Sequence, residues 1–357
     1  MITMGFSGAT PCAPEGRSLP SPTSVLVQMV TPEQLDIGDL LGEGDNATVH
    51  AVQFQSGKFA VKRLKREKRE VTTAISDISR EIMLMTLMDH PNIMQCKGIG
   101  EESGRPFMLL NVVRTILLNE LPRDPEDVPF WTRWRELRKW PLSRALDYGI
   151  QLGRAIRYCH DDAFPDYRII HRDMKPANIG ILSCGRIVLF DFGIASLWKN
   201  GPKATEDAPR KLTGAAGSLR YMAPEVALSK AYSHRADVFS FGTVLWEMLS
   251  HQRPFNEYKD REVFKKALGS GQMPEVSPKW PIELQSLMHQ LWSLDEGKRP
   301  EFREIVPRLE ALAASLAAPK KTTGGIKDIA IKRKKRSLTS SEWSPQYTLP
   351  SMAYIRV

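Results

Sequence analysis

The chain has 357 residues, 42% hydrophobic and 25% charged, a composition typical of a globular protein with a sizeable buried core. Its formal net charge of +9 would suggest a nucleic-acid-binding protein, but residues 319–357 hold nine basic residues against two acidic ones. The remainder is therefore nearly neutral, which argues against a basic groove for nucleic acid. No apolar run approaches the roughly 18 residues that cross a bilayer. The four cysteines form no C-x-x-C pair, so we expect reduced thiols in a cytosolic or nuclear protein.

The first part of the chain changes character near Leu35. Residues 1–30 are rich in Ser, Thr, Pro and Gly without any period, so we expect disorder. Short alternating runs follow, with a Ser-Gly turn at 56–57, and these predict an antiparallel meander. The stretch "ISDISREIMLMTLMDHP" has apolar residues at helical spacing before a proline and predicts a helix.

Two further strands are expected at 93–99 and 107–113, and helices dominate after about Leu142. The predicted helices lie in "LSRALDYGIQLGRAIRYCH" and "ADVFSFGTVLWEMLS" and near 283–292 and 301–317. A strand-rich front and a helix-rich back predict an α+β protein with two lobes.

Three short motifs in the front half contain glycine or charged residues. "GEGDNATV", residues 42–49, lies between two predicted strands, where a glycine-rich turn lets backbone N–H groups approach phosphates. A tight hairpin explains that motif equally well. "FAVKRL" places Lys62 on a strand and "SREIM" places Glu81 in the following helix, where the two could pair, although each alone could be a surface charge.

Two motifs in the back half carry oxygen ligands and a further ammonium group. "IIHRDMKPANIGI", residues 169–181, sets Asp173, Lys175 and Asn178 in one turn between apolar runs. "LFDFGIA" ends an apolar strand at Asp191, whose carboxylate is suited to a hard cation such as magnesium. "GSLRYMAPEV" follows near residue 220.

These motifs, taken in this order, resemble those of a eukaryotic-type protein kinase from about Leu35 to Leu316. The resemblance implies a bilobal kinase fold with a small β-rich N-lobe, one key helix and a larger helical C-lobe. It places the kinase domain at residues 31–316, with the N-lobe to about 110, the hinge at 111–115 and the C-lobe at 116–316. Residues 317–357 would then be a basic disordered tail.

The resemblance also implies a role for each motif residue in transfer of the ATP γ-phosphoryl group. Asp173 would orient the substrate hydroxyl and accept its proton, and Lys175 would neutralise charge on the transferring group. Asn178 and Asp191 would hold Mg²⁺. The implied nucleotide-binding residues are Leu41, Gly42, Glu43, Gly44, Val49, Ala60, Lys62, Glu81, Asn111 and Val113.

Lysine two residues after the predicted catalytic Asp173 is typical of serine/threonine kinases, and "GSLRYMAPEV" resembles the tyrosine-kinase-like group of these enzymes. We therefore expect a protein substrate with serine or threonine hydroxyls. The alternative is a pseudokinase, a scaffold that binds nucleotide without transfer.

Three positions depart from the family pattern. Ala47 replaces the third glycine of the phosphate loop, and Asn111 stands where an acidic residue is common. Gly180 stands where the family usually has leucine on the floor of the adenine pocket, a loss of roughly 1–3 kcal/mol of apolar contact if nothing replaces it. None of the three removes a charge needed for transfer.

Regulation is expected through Arg172, since an arginine before the catalytic aspartate often binds a phosphorylated residue of the activation segment in this family. We expect an upstream kinase to act on Thr213, or else on Thr205. Ser218 would be a structural or substrate-facing hydroxyl. The alternative is activity without phosphorylation.

Other residues are expected to be structural by the same resemblance. Asp237 would tie the backbone of the catalytic loop, and Arg299 would pair with Glu225. A hydrophobic spine between the lobes would contain Met85, Cys96, His171 and Phe192, so packing is favoured over a catalytic-base role for His171.

Two segments fall outside the motifs. The stretch 119–143 is longer than is usual in the family, and Trp131, Trp134 and Leu137 form an apolar stripe on a basic helix. Packing on the helical lobe is favoured over docking of an acidic partner. The basic run 332–336 could be a nuclear localisation signal, bind nucleic acid or anionic lipid, or simply be solvated, so we expect a cytoplasmic or nuclear protein.

Overall fold

A computed structural model of the chain describes residues 27–65, 71–122, 127–199 and 217–318. The strands are β1 Gln28–Met29, β2 Asp36–Glu43, β3 Ala47–Phe54, β4 Gly57–Leu64, β5 Cys96–Glu102, β6 Arg105–Asn111, β7 Thr115–Ile116, β8 Tyr167–Ile170, β9 Ile179–Ile181, β10 Ile187–Leu189 and β11 Ser196–Lys199. The α-helices are α1 Val71–Leu87, α2 Leu117–Glu120, α3 Phe130–Lys139, α4 Leu142–Arg157, α5 Pro224–Ala227, α6 Arg235–Ser250, α7 Arg261–Gly269, α8 Ile282–Leu291 and α9 Phe302–Ala317.

The front lobe is one sheet with the strand order β1-β5-β6-β4-β3-β2. Strands β2, β3 and β4 pair antiparallel in sequence order, as the meander prediction requires. The β3–β4 turn places Gln55 at φ 53°, so the chain reverses directly after Phe54. β1 pairs parallel with β5, which means that Gln28 and Met29 are ordered although they belong to the segment expected to be disordered.

The period of two along β4 sorts its side chains between two apolar clusters. Val61 lies in an outer cluster with Val52, Phe107 and Leu109. Ala60, one residue earlier, belongs to the main core, which runs on into the other lobe. Lys62 therefore projects on the face of Ala60, toward the second lobe.

Helix α1 covers that inner face of the sheet with buried residues at helical spacing. Ala74, Ile78, Glu81, Met85 and Met88 are all buried, at steps of three or four residues. Glu81 thus occupies a position that the helical period directs inward, and its carboxylate needs a buried partner.

The back lobe is built around α6, in which residues 236–249 are all buried. α4 packs against α6 and α9, and the apolar residues of these helices join the main core. This arrangement confirms the predicted α+β, bilobal architecture with helices dominating the second lobe. Within the part of the chain that the structure describes, no helix is both long and apolar enough to cross a membrane.

The predicted packing of the apolar stripe on α3 is wrong for its two tryptophans. Trp131 is 74% exposed and Trp134 is 48% exposed, and no α3 residue is buried. The buried aromatic side chain is instead Trp140, directly after the helix, whose indole Nε1–H donates to the carbonyl of Glu120. Trp140, rather than the two tryptophans along the helix, packs into the main core.

Candidate active site

The structure brings Lys62, Glu81 and Asp191 together between the lobes. The Lys62 ammonium lies 2.8 and 2.7 Å from the two Glu81 carboxylate oxygens and 3.0 Å from Asp191 Oδ1. Strand β4 directs the lysine inward, α1 supplies the glutamate, and Asp191 follows β10 of the back lobe. The three charges therefore join a strand, a helix and a loop that are far apart in sequence.

Burial and charge act in opposite directions on this cluster. Burial alone would lower the pKa of Lys62, but the carboxylates of Glu81 and Asp191 outweigh it and raise that pKa above its ordinary value. Burial likewise favours the neutral form of Asp191, yet the Lys62 ammonium holds the Asp191 pKa below its usual range. Lys62 and Asp191 are consequently charged at neutral pH.

Asp173, Lys175 and Asn178 form a second cluster in the turn between β8 and β9. The Lys175 ammonium lies 2.9 Å from Asp173 Oδ2, and the Asn178 amide nitrogen donates to the same oxygen at 3.1 Å. The Ser218 backbone N–H donates to Asp173 Oδ1 at 2.8 Å. Both oxygens of the predicted catalytic carboxylate are thus held in one orientation.

The two clusters adjoin through the backbone directly before β9 and directly after β10. The N–H of Phe190 donates to the carbonyl of Asn178 at 3.0 Å, directly before Asp191. Asn178 also donates to the backbone carbonyl of Asp173 at 2.8 Å. Two ammonium groups, three carboxylates and a carboxamide are therefore gathered at the junction of the lobes.

Asp237, on the first turn of α6, holds the backbone that leads into Asp173. Its Oδ2 accepts the His171 N–H at 2.8 Å and lies 3.0 Å from His160 Nε2, and its Oδ1 accepts the Arg172 N–H at 3.0 Å. Burial opposes ionisation of this carboxyl, but the His160 hydrogen bond and other contacts keep its pKa below the usual range. The expected backbone tie is present.

Gly217 is a residue whose role the motif analysis missed. Its φ is +107°, and a Cβ there would lie 2.6 Å from the Arg172 carbonyl and 3.2 Å from Asp173 Oδ1. Only glycine lets the backbone come this close and present the Ser218 N–H to Asp173. The one signal in the sequence is the glycine itself, directly before Ser218.

Arg80 is a second missed residue. Its guanidinium donates to the carbonyl of Gly193 at 3.1 Å and lies 3.4 Å from Asp77 Oδ1. This contact ties α1 to the segment that follows Asp191. Nothing in the sequence marks Arg80, since charged residues are ordinary on a helix that is exposed on one side.

The remaining predicted nucleotide-binding residues lie on the front-lobe sheet and directly after β6. They are Leu41, Gly42 and Glu43 at the end of β2, Gly44 directly after it, Val49 on β3, Ala60 on β4, Asn111 at the end of β6, and Val113 after it. A Cβ at Gly42 would meet nothing within 4 Å. The glycine turn is thus open, whereas the Glu43 carboxylate lies 2.5 Å from the Lys65 ammonium.

The structure accounts for two of the three departures from the family pattern. Ala47 begins β3 with its carbonyl accepting the Gly44 N–H at 2.9 Å, and its extended backbone tolerates a methyl group. At Gly180, an added Cβ would lie 2.4 Å from Val113 Cγ1 and 3.2 Å from Val188 Cγ2. Val113 therefore lies where the missing side chain would begin. We find no structural consequence of asparagine at position 111.

The residues expected to be structural are placed as predicted. Met85, Cys96, His171 and Phe192 are fully buried, and the His171 and Phe192 rings lie 4.8 Å apart. The His171 ring Nε2 lies 3.1 Å from the carbonyl of Phe190, so its surroundings are those of a packed side chain.

Arg172 reaches the segment expected to carry the regulatory phosphosite. Its φ is 71°, and its guanidinium donates to the carbonyl of Ile194 at 3.1 Å and lies over the Tyr232 ring. Thr205 and Thr213 lie outside the described residues. So do most of residues 1–30 and the tail from residue 319 onward.

The oxygen donors suit a divalent cation shared with phosphate groups. Asn178 and Asp191 offer a carboxamide and an ionised carboxylate, and magnesium commonly takes one or two such protein ligands with phosphate oxygens completing its shell. Among the residues that the structure describes, no group of three His, Cys, Asp or Glu side chains could hold a metal alone.

Comparison with known proteins agrees with this geometry. A model of the protein kinase domain matches residues 35–308. "Serine/threonine-protein kinase VIK" of Arabidopsis thaliana is 30% identical over 292 residues, 80% of this chain and 62% of the relative. "Dual specificity protein kinase shkC" of Dictyostelium discoideum is 28% identical over 306 residues, 85% and 55% respectively. "Mitogen-activated protein kinase kinase kinase 7" of Homo sapiens is 25% identical over 294 residues, 82% and 44%.

The matched region covers less than two thirds of the length of each of these relatives. The kinase-domain match at residues 35–308 nevertheless contains both charge clusters and the glycine turn, and it ends within α9. The family match spans most of this chain and includes every residue of the site. The chain therefore belongs to the protein kinase family, as a eukaryotic-type member resembling the tyrosine-kinase-like group.

Proposed function

We propose that the chain is a serine/threonine protein kinase, which transfers the γ-phosphoryl group of ATP to hydroxyl groups of proteins. The observation that carries this proposal is the bridging position of Lys62, whose ammonium contacts both Glu81 and Asp191. A lysine whose ammonium is paired with a glutamate of α1 is oriented for phosphate binding. The same junction holds Asp173 and Lys175 2.9 Å apart, ready to act on a hydroxyl.

Each charged residue then has a separate task in the transfer. Asp173 accepts a hydrogen bond from the substrate hydroxyl and takes its proton, because its Oδ1 and Oδ2 are oriented by Ser218 and Asn178. Lys175 stabilises negative charge on the transferring phosphoryl group. Lys62 holds the α- and β-phosphates. Catalysis of this kind depends on positioning and charge stabilisation, so a fixed geometry is the protein's main contribution.

Protein kinases as a family use ATP and a divalent metal ion, and we propose Mg²⁺ as the metal here. Asn178 and Asp191 would hold it, since both offer the hard oxygen ligands that Mg²⁺ prefers. Bound there, the ion would neutralise charge on the phosphates. The low pKa of Asp191 keeps its carboxylate ionised for this purpose.

Serine and threonine are the proposed acceptors because Lys175 follows Asp173 by two residues and contacts its carboxylate. Two of the relatives carry "serine/threonine" or "dual specificity" in their names, and the second description includes a further acceptor class. Analysis of the phosphorylated amino acids in a protein or peptide substrate distinguishes the two. Phosphotyrosine as the main product would contradict our assignment.

The experiment that tests transfer uses the full chain, radiolabelled ATP with Mg²⁺, and a peptide library, in parallel with Asp173→Asn. We expect the variant to bind ATP as well as the wild type while transfer falls by about 10²-fold or more, since it loses a general base. Undiminished transfer by the variant would contradict the role of Asp173. Nucleotide binding by the wild type without transfer to any protein, itself included, would identify a pseudokinase.

We further propose that an upstream kinase phosphorylates Thr213, or else Thr205. Support comes from Arg172, whose guanidinium already contacts the backbone of the segment after Asp191 and offers charged donors for a phosphate. After both proteins have been incubated with the upstream kinase, we expect Thr213→Ala to be less active than the wild type. Full activity of freshly dephosphorylated wild-type protein would contradict the proposal.

The chain is proposed to act in the cytoplasm, with the basic run 332–336 directing nuclear entry. The support is its composition alone, five consecutive basic residues. A truncation before Pro319 tests it, by comparing nuclear entry and polyanion binding with those of the full chain. No change in either would show that the run is a solvated charge segment.

A further inference from the structure

Helix α3 presents aromatic rings to solvent on one face. Phe130 is 71% exposed and Trp131 is 74% exposed, and their rings meet edge to face at 5.4 Å. Trp134, one turn later, is 48% exposed, and the Arg138 guanidinium lies 4.7 Å from the centre of its ring. Large contiguous aromatic groups at the surface mark interaction sites more often than single exposed apolar residues do.

The helix is held firmly although its aromatic face is not covered. Arg133 donates to the carbonyl of His251 at 3.0 Å, and His251 Nε2 lies 3.1 Å from the carbonyl of Trp140. Trp140 itself is buried directly after the helix. The exposed face is therefore presented in one orientation, which lowers the entropy cost of binding a partner.

A concave surface adjoins the helix at His251. His251 lies in the wall of a cavity of about 1000 Å³, together with Trp246, Phe255 and Trp280. The wall holds basic and acidic residues in equal number, Arg253 and Lys279 with Glu257 and Glu275. Any preference of this surface for a partner of one charge must therefore come from α3.

Helix α3 supplies that preference. Its ten residues contain four basic side chains, Arg133, Arg135, Arg138 and Lys139, against the single acidic Glu136. Rings interleaved with guanidinium groups suit a segment with carboxylates and large apolar side chains. The chain's own tail, with nine basic residues against two acidic ones, would be repelled.

We propose that α3 and the adjoining cavity form a docking surface for an acidic peptide segment of a partner protein, anchored by large apolar side chains. A rigid ridge beside a concavity fits a peptide that places a side chain in the cavity. A planar anionic membrane would contact the ridge alone. The surface is independent of phosphoryl transfer, so its test does not depend on kinase activity.

The test is selection from a displayed random peptide library on the full chain, with counter-selection on the Trp131→Ala/Trp134→Ala double variant. We expect enriched peptides rich in Asp or Glu around Leu, Phe or Trp. The best peptide should bind about tenfold or more weakly to the double variant and to Arg135→Glu/Arg138→Glu, and its affinity should fall as salt rises. Both variants should unfold at the wild-type temperature, since the altered side chains are exposed.

Two matched controls lie on the other lobe. Leu87 is exposed and apolar and Lys58 is exposed and basic, so Leu87→Ala and Lys58→Glu should leave the affinity unchanged. Enriched peptides without acidic residues, or equal binding of the best peptide to both double variants and to the wild type, would overturn the proposal. So would binding to phosphatidylserine vesicles in place of peptides. A dimer in light scattering that the double variant abolishes would also overturn it, because the face would then be occupied by a second copy.

Discussion

Val113 and Gly180 face each other where the hinge meets β9, in the region we assign to the adenine ring. Gly180 pairs with Val188 on one side and Ile116 on the other, so its backbone cannot move away easily. A leucine here, the usual residue in the family, would place its Cβ 2.4 Å from Val113 Cγ1. The valine methyl thus replaces the side chain that the glycine lacks, and the pair must change together.

We predict that Gly180→Leu weakens ATP binding about tenfold and destabilises the fold by about 1–3 kcal/mol, because the new side chain overpacks against Val113. Val113→Ala removes the obstructing methyl groups. The double variant should recover most of the affinity and stability that Gly180→Leu loses, which a double-mutant cycle on the Kd for ATP and on urea unfolding would measure. Equal losses from Gly180→Leu in both backgrounds would show that Val113 is not the obstacle.

Single residues were predictable from the sequence where chemistry and motif order coincide. Lys62, Glu81, Asp173 and Asp191 carry charges that few structural roles explain in that order, and the structure gathers them. Gly180 could be noticed in the sequence only because it lacks the side chain that the family usually has at this position. Its replacement by Val113 depends on how a hinge residue lies against a strand almost 70 positions later, and no local pattern contains that information.

At the scale of elements, α6 supports the catalytic loop. Asp237 on its first turn accepts two consecutive backbone N–H groups, those of His171 and Arg172. The loop leads directly to Asp173, so the position of the predicted base depends on a buried helix in the centre of the back lobe.

We predict that Asp237→Asn lowers kcat about tenfold or more and changes the KM for ATP little. An asparagine has one acceptor oxygen, so one backbone N–H would face an amide NH₂ group and remain unsatisfied, at about 1–3 kcal/mol. Steady-state kinetics measures the effect. Asp260→Asn is the matched control, since Asp260 caps α7 at the exposed N–H groups of Glu262 and Val263 and asparagine caps equally well. A loss in Asp237→Asn no larger than in this control would refute the role.

A second link between elements is the ion pair of Arg299 and Glu225. The Arg299 side chain is completely buried, and its two terminal nitrogens lie 2.5 and 2.9 Å from the two Glu225 oxygens. Its Nε donates to the carbonyl of Ser293 at 2.8 Å. The guanidinium thereby joins α5 to the loop between α8 and α9, as the family resemblance implies.

We predict that Arg299→Met destabilises the protein by about 3–5 kcal/mol, because it leaves the Glu225 carboxylate without its buried counter-charge. Arg154→Met is the control: the Arg154–Glu310 pair is 2.8 Å long, but its side chains are 41% and 40% exposed. Breaking an exposed pair should cost less than about 1 kcal/mol. The two free energies of unfolding, measured in urea, should differ accordingly, and similar values would show that burial adds nothing here.

Prediction of whole elements succeeded where an apolar repeat extends along the helix. It failed where a single buried residue determines how a segment attaches. The repeat of apolar residues in α1 gives both the helix and its buried face, including Glu81. In α3 the stripe of Trp131 and Trp134 has the same period, yet it is exposed, because the buried Trp140 determines how the segment attaches. Periodicity shows that a face exists, but it does not show what covers that face.

At the scale of the whole molecule, the half-buried His90 and the buried His234 connect stability to pH. Burial and the nearby Arg154 and Arg157 lower the pKa of His90 to about 4, and its Nδ1 accepts the N–H of Asn92 at 3.1 Å. Burial and neighbouring positive groups also lower the pKa of His234 below its ordinary value. Both histidines are therefore neutral in the folded protein near pH 6, whereas their unfolded pKa is about 6.5.

We predict that stability is complete above about pH 6.5 and falls as the pH is lowered toward 4. In that window the unfolded chain binds protons at these histidines and the folded chain does not, so the free energy of unfolding decreases by up to about 1.4 kcal/mol per pH unit for each histidine. Burial raises the pKa values of Asp161 and Glu296, which opposes the trend at the acid end. The difference in pH dependence between a histidine variant and the wild type is consequently a sharper measure than the total pH dependence of the wild type.

His90→Gln provides that difference, because glutamine cannot take up a proton. Urea unfolding at several pH values should give a shallower pH dependence for His90→Gln than for the wild type between pH 6.5 and 4. His289 is exposed on α8, so His289→Gln should leave the wild-type slope unchanged. If His90→Gln and His289→Gln have the same slope as the wild type, His90 takes up its proton equally in the folded and unfolded states, and the acid sensitivity of the fold must originate in other groups.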